Sequence, residues 1–176
     1  DGRVDLVVGQ GYQRHDVYWY EQPENPRTPW RQHLVTDRFQ KYHDLTVGDV
    51  DDDGEAELVG LSQEAGVLFY YDVPEDPYES PWSDRCLHVI EDDVRSEGLR
   101  VIDIDGDGSS EIVAGTSIYR RNGADAWERR DVASGWDDTL VVAGDVDADG
   151  EHELVFAEGD SPPLRHPSGP CRVVRS

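Results

Sequence analysis

The sequence predicts an all-β chain made of repeated four-stranded antiparallel units, and three observations carry that prediction. An acidic loop pattern recurs along the chain. Each copy is followed by the same succession of short apolar and aromatic runs. No window places apolar residues at the i, i+3, i+4 and i+7 spacing of a helix.

The acidic pattern is clearest in "DVDDDGEAELV", which begins at Asp49, and it returns in "DIDGDGSSEIV" from Asp103 and "DVDADGEHELV" from Asp145. The shared template is Asp, apolar, Asp, any residue, Asp, Gly, two variable positions, Glu, Leu or Ile, Val. The N-terminal "DGRVDLVVG" matches from the fifth template position onward, with Asp1, Gly2 and Asp5 in register. The fifth-position acids are Asp1, Asp53, Asp107 and Asp149, which lie 52, 54 and 42 residues apart. Repeats of this length are the mark of arrays of small supersecondary units.

Each loop is followed by an aromatic-rich run ("VYWYEQP", "VLFYYDVP", "SIYRR") and then by a Trp, at Trp30, Trp82 and Trp127. A short apolar run comes next ("HLV", "HVI", "RDV"). A last run ("LTVGD", "LRVID", "VVAGD") leads into the next loop. The β-branched and aromatic content reads as four strands per unit. Four strands at a period near 50 residues predict β-propeller blades. The chain holds about three and a half of them and so forms an incomplete propeller. A sandwich is the alternative, but it requires neither a repeated loop nor a repeated Trp.

The loops carry the candidate chemistry. In the first, Asp49, Asp51 and Asp53 alternate, Gly54 permits a sharp turn, and Glu57 arrives as the next strand begins. If four carboxylates converge, each like-charge pair at about 4 Å costs roughly 4 kcal/mol at an effective dielectric near 20. A hard dication with oxygen ligands removes that cost. Calcium, which accepts 6–8 oxygens in flexible geometry, is the first expectation, and magnesium, with its stricter octahedron, the second. An EF-hand is excluded, because its twelfth position needs a bidentate Glu and here holds Gly60, Ala114 and Phe156.

These residues resemble the FG-GAP/VCBS repeat family, whose propeller blades carry a DxDxDGxxD calcium loop between the two innermost strands. The resemblance extends to about Asp160. It implies ligands at loop positions one, three, five and nine and a backbone carbonyl at seven. The implied sets are Asp49, Asp51, Asp53, Glu57 with Glu55; Asp103, Asp105, Asp107, Glu111 with Ser109; and Asp145, Asp147, Asp149, Glu153 with Glu151. Asp1 and Asp5 belong to the half loop at 1–5. The complete loops, at 49–57, 103–111 and 145–153, place Glu at position nine, where the family more often has Asp. The expected organisation is therefore a partial propeller over 1–160, then an irregular tail or the start of a further blade over 161–176. A chain that opens in mid-loop and contains no Met reads as a piece of a longer protein, whose remaining blades would be its first partners.

Composition bounds the partners. The formal net charge is −23, from 39 acidic and 16 basic residues, and Lys41 is the single lysine. This disfavours nucleic acid and an anionic membrane surface. Acidity beyond the loops resembles that of proteins adapted to high salt, where screening makes such charge tolerable. The two cysteines, Cys86 and Cys171, are too few for a disulfide framework, and Cys86 within "RCLHVI" reads as a buried thiol. No apolar stretch approaches 18 residues, so no membrane span is expected. Calcium sites of this kind suit extracellular or cell-surface modules.

A ligand face is expected opposite the acidic loops, at the mouth of the central channel. His43, Glu97 and Thr139 lie six residues before the three loops, and Thr46, Arg100 and Val142 lie three before. Loops of the same face add Gln10, Tyr12, His15, Gln63, Glu64 and Thr116. His33 and His88 hold matching positions in successive outer strands and read as repeat architecture, not as a metal pair. The first functional expectation is a calcium-stabilised binding or scaffold module presenting this face to a carbohydrate or protein. The alternative is catalytic. "HDVYWYEQP", "YHDLTVGDVDDDGE", "YYDVPEDP" and "EGLRVIDIDGDG" are similar to the propeller domain of aldos-2-ulose dehydratase-type proteins, which act on keto-sugars. That likeness would make His43, Glu97 and Arg100 acid–base or metal-binding candidates. Neither GxSxG nor HExxH occurs in the chain, and that type's cupin domains have no counterpart in it.

Overall fold

The computed structural model describes residues 2–12, 14–94, 96–124, 126–136 and 138–159, together with the backbone of Cys171–Arg175. Among the described residues, fourteen strands form four antiparallel sheets. The first sheet holds β1 (Leu6–Gly9), β2 (Val17–Glu21) and β3 (Arg31–Thr36). The second holds β4 (Tyr42–Gly48), β5 (Glu57–Ser62), β6 (Val67–Tyr71) and β7 (Leu87–Asp92). The third holds β8 (Leu99–Ile102), β9 (Glu111–Ala114), β10 (Ser117–Arg121) and β11 (Trp127–Asp131). The fourth holds β12 (Thr139–Gly144), β13 (Glu153–Glu158) and β14 (Cys171–Arg175). Each sheet is a meander in chain order. Among the described residues there is no α-helix, only a 3-10 turn at Asp84–Cys86.

The sheets stack face to face, and the period-two alternation of strand side chains explains how. Along β6, Leu68 and Tyr70 enter the core shared with the third sheet, while Phe69 and Tyr71 enter the core shared with the first. Along β9, Ile112 and Ala114 face the second sheet and Val113 faces the fourth. β5 is packed on both faces, so all six of its residues are buried and its polar side chains, Glu57 and Ser62, stand only at its two ends. Gly60 in β5 leaves space for a ring: a Cβ there would lie 2.3 Å from Cζ of Phe69, its cross-strand partner.

The first strands converge. β4 approaches β8, β8 approaches β12, and β1 approaches β4. A radial set of antiparallel sheets of three or four strands, with their first strands side by side, fits a propeller-like fold. The two outermost faces are uncovered: Leu6 and Val8 of β1, and Leu140 and Val142 of β12, are 45–56% exposed.

Two expectations need correction. Within 161–176, Cys171–Arg175 is neither irregular nor part of another sheet; it pairs antiparallel with β13, from Glu153↔Arg175 to Ala157↔Cys171. The adjacent β-branched pair Val173–Val174 favours that extended backbone, and 161–170 lie outside the described residues. Cys86, read as part of a strand, closes the 3-10 turn before β7 and is only half-buried. Ser83 caps that turn by accepting the Arg85 N–H.

Gly98 sets the closeness of β8 and β12. Its φ is +83°, and a Cβ would fall 2.1 Å from the Thr139 carbonyl oxygen. The obstacle is backbone and cannot move aside. Gly98→Ala should lower unfolding stability by about 2 kcal/mol or more, from left-handed strain and overpacking together. Urea melts would show it, and a change below about 0.5 kcal/mol would contradict the close approach.

Candidate metal centre and channel-mouth cluster

The acidic loops join β4 to β5, β8 to β9 and β12 to β13, and they share one hydrogen-bond plan. The position-one carboxylate folds back over its own loop. Oδ2 of Asp49, Asp103 and Asp145 accepts the N–H of the template glycine, Gly54, Gly108 and Gly150, at 3.0, 2.9 and 3.0 Å. Position five accepts from position seven: Asp53 from Glu55, Asp107 from Ser109 and Asp149 from Glu151, at 2.8, 2.9 and 2.9 Å. Position nine reaches back to position two, as Oε2 of Glu57, Glu111 and Glu153 accepts the N–H of Val50, Ile104 and Val146 at 2.8, 3.0 and 2.8 Å. Those three glutamates are only 2–3% exposed.

The turn demands left-handed backbone twice. The template glycines have φ of +89°, +98° and +94°. Position four, which the sequence comparison left unconstrained, is left-handed too: Asp52 at +63°, Gly106 at +75° and Ala148 at +64°. The three residue types share no side-chain chemistry, so nothing in the sequence marked the requirement.

Carboxylate oxygens converge in each of the three complete loops. Asp49, Asp51 and Asp53, then Asp103, Asp105 and Glu111, then Asp145, Asp147 and Glu153, each lie within 4.8 Å of one another. The electrostatic tension is visible in the first loop. Burial pushes the Glu57 carboxyl up to about 7; the Val50 N–H opposes this, and Asp51, Asp53 and Asp49 add to it. Asp51 is also raised, by burial and then by Asp53, against the pull of Arg121. Such a set is suited to a hard cation with oxygen ligands. The second loop differs, because Arg120 of β10 lies across it. Its Nε donates to Glu111 Oε1 at 3.0 Å, and its Nη2 donates to Asp107 Oδ2 at 2.8 Å and to Asp105. In the half loop, Asp5 Oδ1 accepts the Gln22 N–H at 2.8 Å, and Asp1 lies outside the described residues. Beside Asp5, a groove of about 430 Å³ opens between the first and second sheets, lined by Trp19, Trp82, Tyr78, Val47 and Glu21. Trp19 and Trp82 both donate their indole N–H to the Pro77 carbonyl, which holds them as packing residues.

At the opposite end of the inner strands, His43 and Glu97 meet, with Nδ1 to Oε1 at 3.3 Å. A β-bulge between Tyr42 and Asp44 leaves His43 without a cross-strand partner, and bulges commonly re-aim a side chain in this way. Gln63 Nε2 donates to Glu97 Oε1 at 2.9 Å and also to Asp138, and Lys41 Nζ donates to Gln63. Asp44 accepts the Gly98 N–H at 2.8 Å. Arg100 takes no part in these contacts; its Nη1 donates to the Leu99 carbonyl at 2.6 Å. Lys41 and Asp138 are the members that sequence reasoning missed. Both hold left-handed backbone, at φ +58° and +48°, and that conformation leaves no signature in residues that are not glycine. His33 and His88 stack on Trp19 and Tyr70 with ring centroids 4.3 and 4.5 Å apart.

Two outcomes follow from this geometry. Ala148→Gly should stabilise the chain by about 1 kcal/mol, because glycine holds φ near +64° without the left-handed penalty of an L side chain; an unchanged denaturation midpoint would speak against the strain. Burial raises the Glu97 carboxyl; His43 opposes, Asp138 adds, Lys41 opposes and Asp44 adds. The folded chain therefore holds this proton more tightly than the unfolded chain does. The resulting stability is full below the ordinary 4.5 and is lost as pH rises through the raised value. Glu97→Gln should flatten that part of the stability–pH curve in urea melts as pH rises above 4.5, and a curve of unchanged slope would refute it.

Residues 1–60 match the family model described as an FG-GAP-like repeat. No curated protein and no solved structure matches the chain. The matched span covers the half loop, the first sheet and the first complete acidic loop up to Gly60, about a third of the chain.

Proposed function

We propose that the chain is a calcium-stabilised β-propeller module that presents the face opposite its acidic loops to a carbohydrate or protein ligand. The observation that carries this reading is the threefold recurrence of one loop geometry between the two innermost strands of a sheet. Each copy converges carboxylate oxygens within 4.8 Å and is anchored by a buried glutamate. The ion's role is structural. Where a loop holds one, it neutralises the carboxylates and ties that loop to the start of the following strand. Calcium suits the oxygen-only donors, with magnesium second. The uncovered apolar faces of the first and fourth sheets are where further sheets of the ring would pack.

A second reading is favoured by one observation, the contact between His43 and Glu97 at 3.3 Å. As a sugar dehydratase-type site, this pair would supply a proton carrier and a carboxyl of raised pKa at the channel mouth. Glu97 Oε1 is already engaged by His43 and by Gln63. That engagement makes the cluster a support for the inner strands first, and the binding module ranks ahead.

Calcium titration in high salt tests the first reading. At an ion concentration about a hundredfold above Kd, one site contributes about 2.7 kcal/mol. That corresponds to a rise in melting temperature of roughly 5–10 °C for a chain of this size. Asp51→Asn should abolish the share due to the first loop. A melting temperature indifferent to calcium, magnesium and chelator alike would overturn the proposal.

A further inference from the structure

The three acidic loops are alike in backbone but not in what faces them. Strand register decides the difference. Leu58 pairs with Tyr71, so the residue one step further, Asp72, faces Glu57 of the first loop. Ile112 pairs with Tyr119, so the equivalent residue, Arg120, faces Glu111 of the second. The first loop therefore meets another acid, and Asp72 is occupied by His88 Nε2 at 2.9 Å. The second meets a guanidinium.

Arg120 is placed as a cation ligand-holder would require. Its contacts are the carboxylates of loop positions three, five and nine: Asp105, Asp107 at 2.8 Å and Glu111 at 3.0 Å. These are the groups a divalent ion would have to share. A guanidinium offers five donors in a planar fork and stays protonated, so it can bridge several carboxylates at once. The first loop is approached by Arg121 of the neighbouring sheet. It donates to the Asp51 backbone carbonyl and stays 4.0 Å from Asp51 Oδ2. Asp49 and Asp53 remain turned toward Asp51 in the converging set.

We propose that Arg120 is the resident cation of loop 103–111, so that this loop closes without a divalent ion, and that the strand residue facing position nine decides which loops take one. The inference rests on the reading that the acidic loops answer to cations. A bound ion would have to displace the guanidinium from three carboxylates and then share the site with its charge. The implied calcium set of Asp103, Asp105, Asp107 and Glu111 does not fit an ion while Arg120 holds it. In the fourth sheet, the Glu153↔Arg175 register pair puts an arginine at the same strand position relative to the third loop.

The test counts ions by calorimetric calcium titration and follows the melting temperature in chelator. Asp105→Asn in the otherwise natural chain should leave the number of bound calcium ions unchanged, whereas Asp51→Asn should lower it by one. Arg120→Gln should add one ion, lower the melting temperature in chelator, and regain that loss on calcium addition. Asp105→Asn combined with Arg120→Gln should lose the added ion. Asp72→Arg should remove the first-loop ion. The proposal is overturned if Asp105→Asn alone costs one ion, or if folded Arg120→Gln gains none while the natural chain binds calcium at the first loop. The Asp105→Asn arm leaves Arg120 in place, so it decides the matter even if Arg120→Gln does not fold. Should the natural chain bind no calcium at all, the metal reading of the loops fails by itself. The Arg120 lock would then stand or fall on the chelator melting temperature of Arg120→Gln, with no decrease refuting it.

Discussion

A glutamate carboxylate buried at the foot of each acidic loop is the constraint from which the loop geometry follows. Glu57, Glu111 and Glu153 begin β5, β9 and β13, where water is largely excluded. A buried carboxylate without a partner is costly, and here the partner is the backbone N–H of position two. That bond turns the chain back as soon as it leaves β4, β8 or β12. The remaining acids then project above the sheet, and the position-one carboxylate collects the glycine N–H from the far side. Glutamate at position nine is thus explained by reach. Its extra methylene spans from the start of one strand to the amide just after the preceding one.

The stacked sheets impose a second constraint on the same residues. Because β5 and β9 are covered on both faces, they cannot alternate polar with apolar. Their charged residue must sit at the very end, where position nine lies. Close approach of the inner strands then depends on missing side chains. Gly98 lets β8 meet the Thr139 carbonyl, and Gly60 accepts the Phe69 ring. Ring-on-ring contacts extend the packing outward, with Phe69 and Tyr71 edge to face at 5.9 Å and Tyr71 against Trp82 at 6.1 Å.

Much of this was legible in the sequence, for a physical reason. A loop with five acids in seven positions and a fixed glycine can be recognised because its chemistry is local, and the strands around it announce themselves by β-branched and aromatic content. What escaped was set by backbone conformation or by distant register. Position four looked free because Asp52, Gly106 and Ala148 share only a positive φ. Arg100 was expected beside His43 and Glu97, since it stands upstream of its loop as they do. Its guanidinium turns to the Leu99 carbonyl instead, while Lys41 and Asp138 enter through Gln63. Arg120 was invisible as a loop residue, because it is nine positions past Glu111 and becomes its neighbour only when β10 pairs with β9.

The placement of basic residues in so acidic a chain is itself an argument about how the sheets hold together. Four of the sixteen basic residues, Arg120, Arg121, Arg129 and Arg130, fall in the single hairpin β10–β11. Three of them act in different directions. Arg120 closes the loop of its own sheet, and Arg121 reaches the Asp51 carbonyl of the second sheet's loop. Arg129 joins Glu91 of β7 at 3.1 Å and Asp131 of its own strand at 2.8 Å. Exposed ion pairs add little stability singly, but these sit at the seam between the second and third sheets, where the core of Val59, Leu61, Tyr70, Ile112 and Tyr119 already fixes the distance. The hairpin therefore works as a charge bracket. It sets one positive charge among three carboxylates of its own sheet's loop and offsets part of the field of the next.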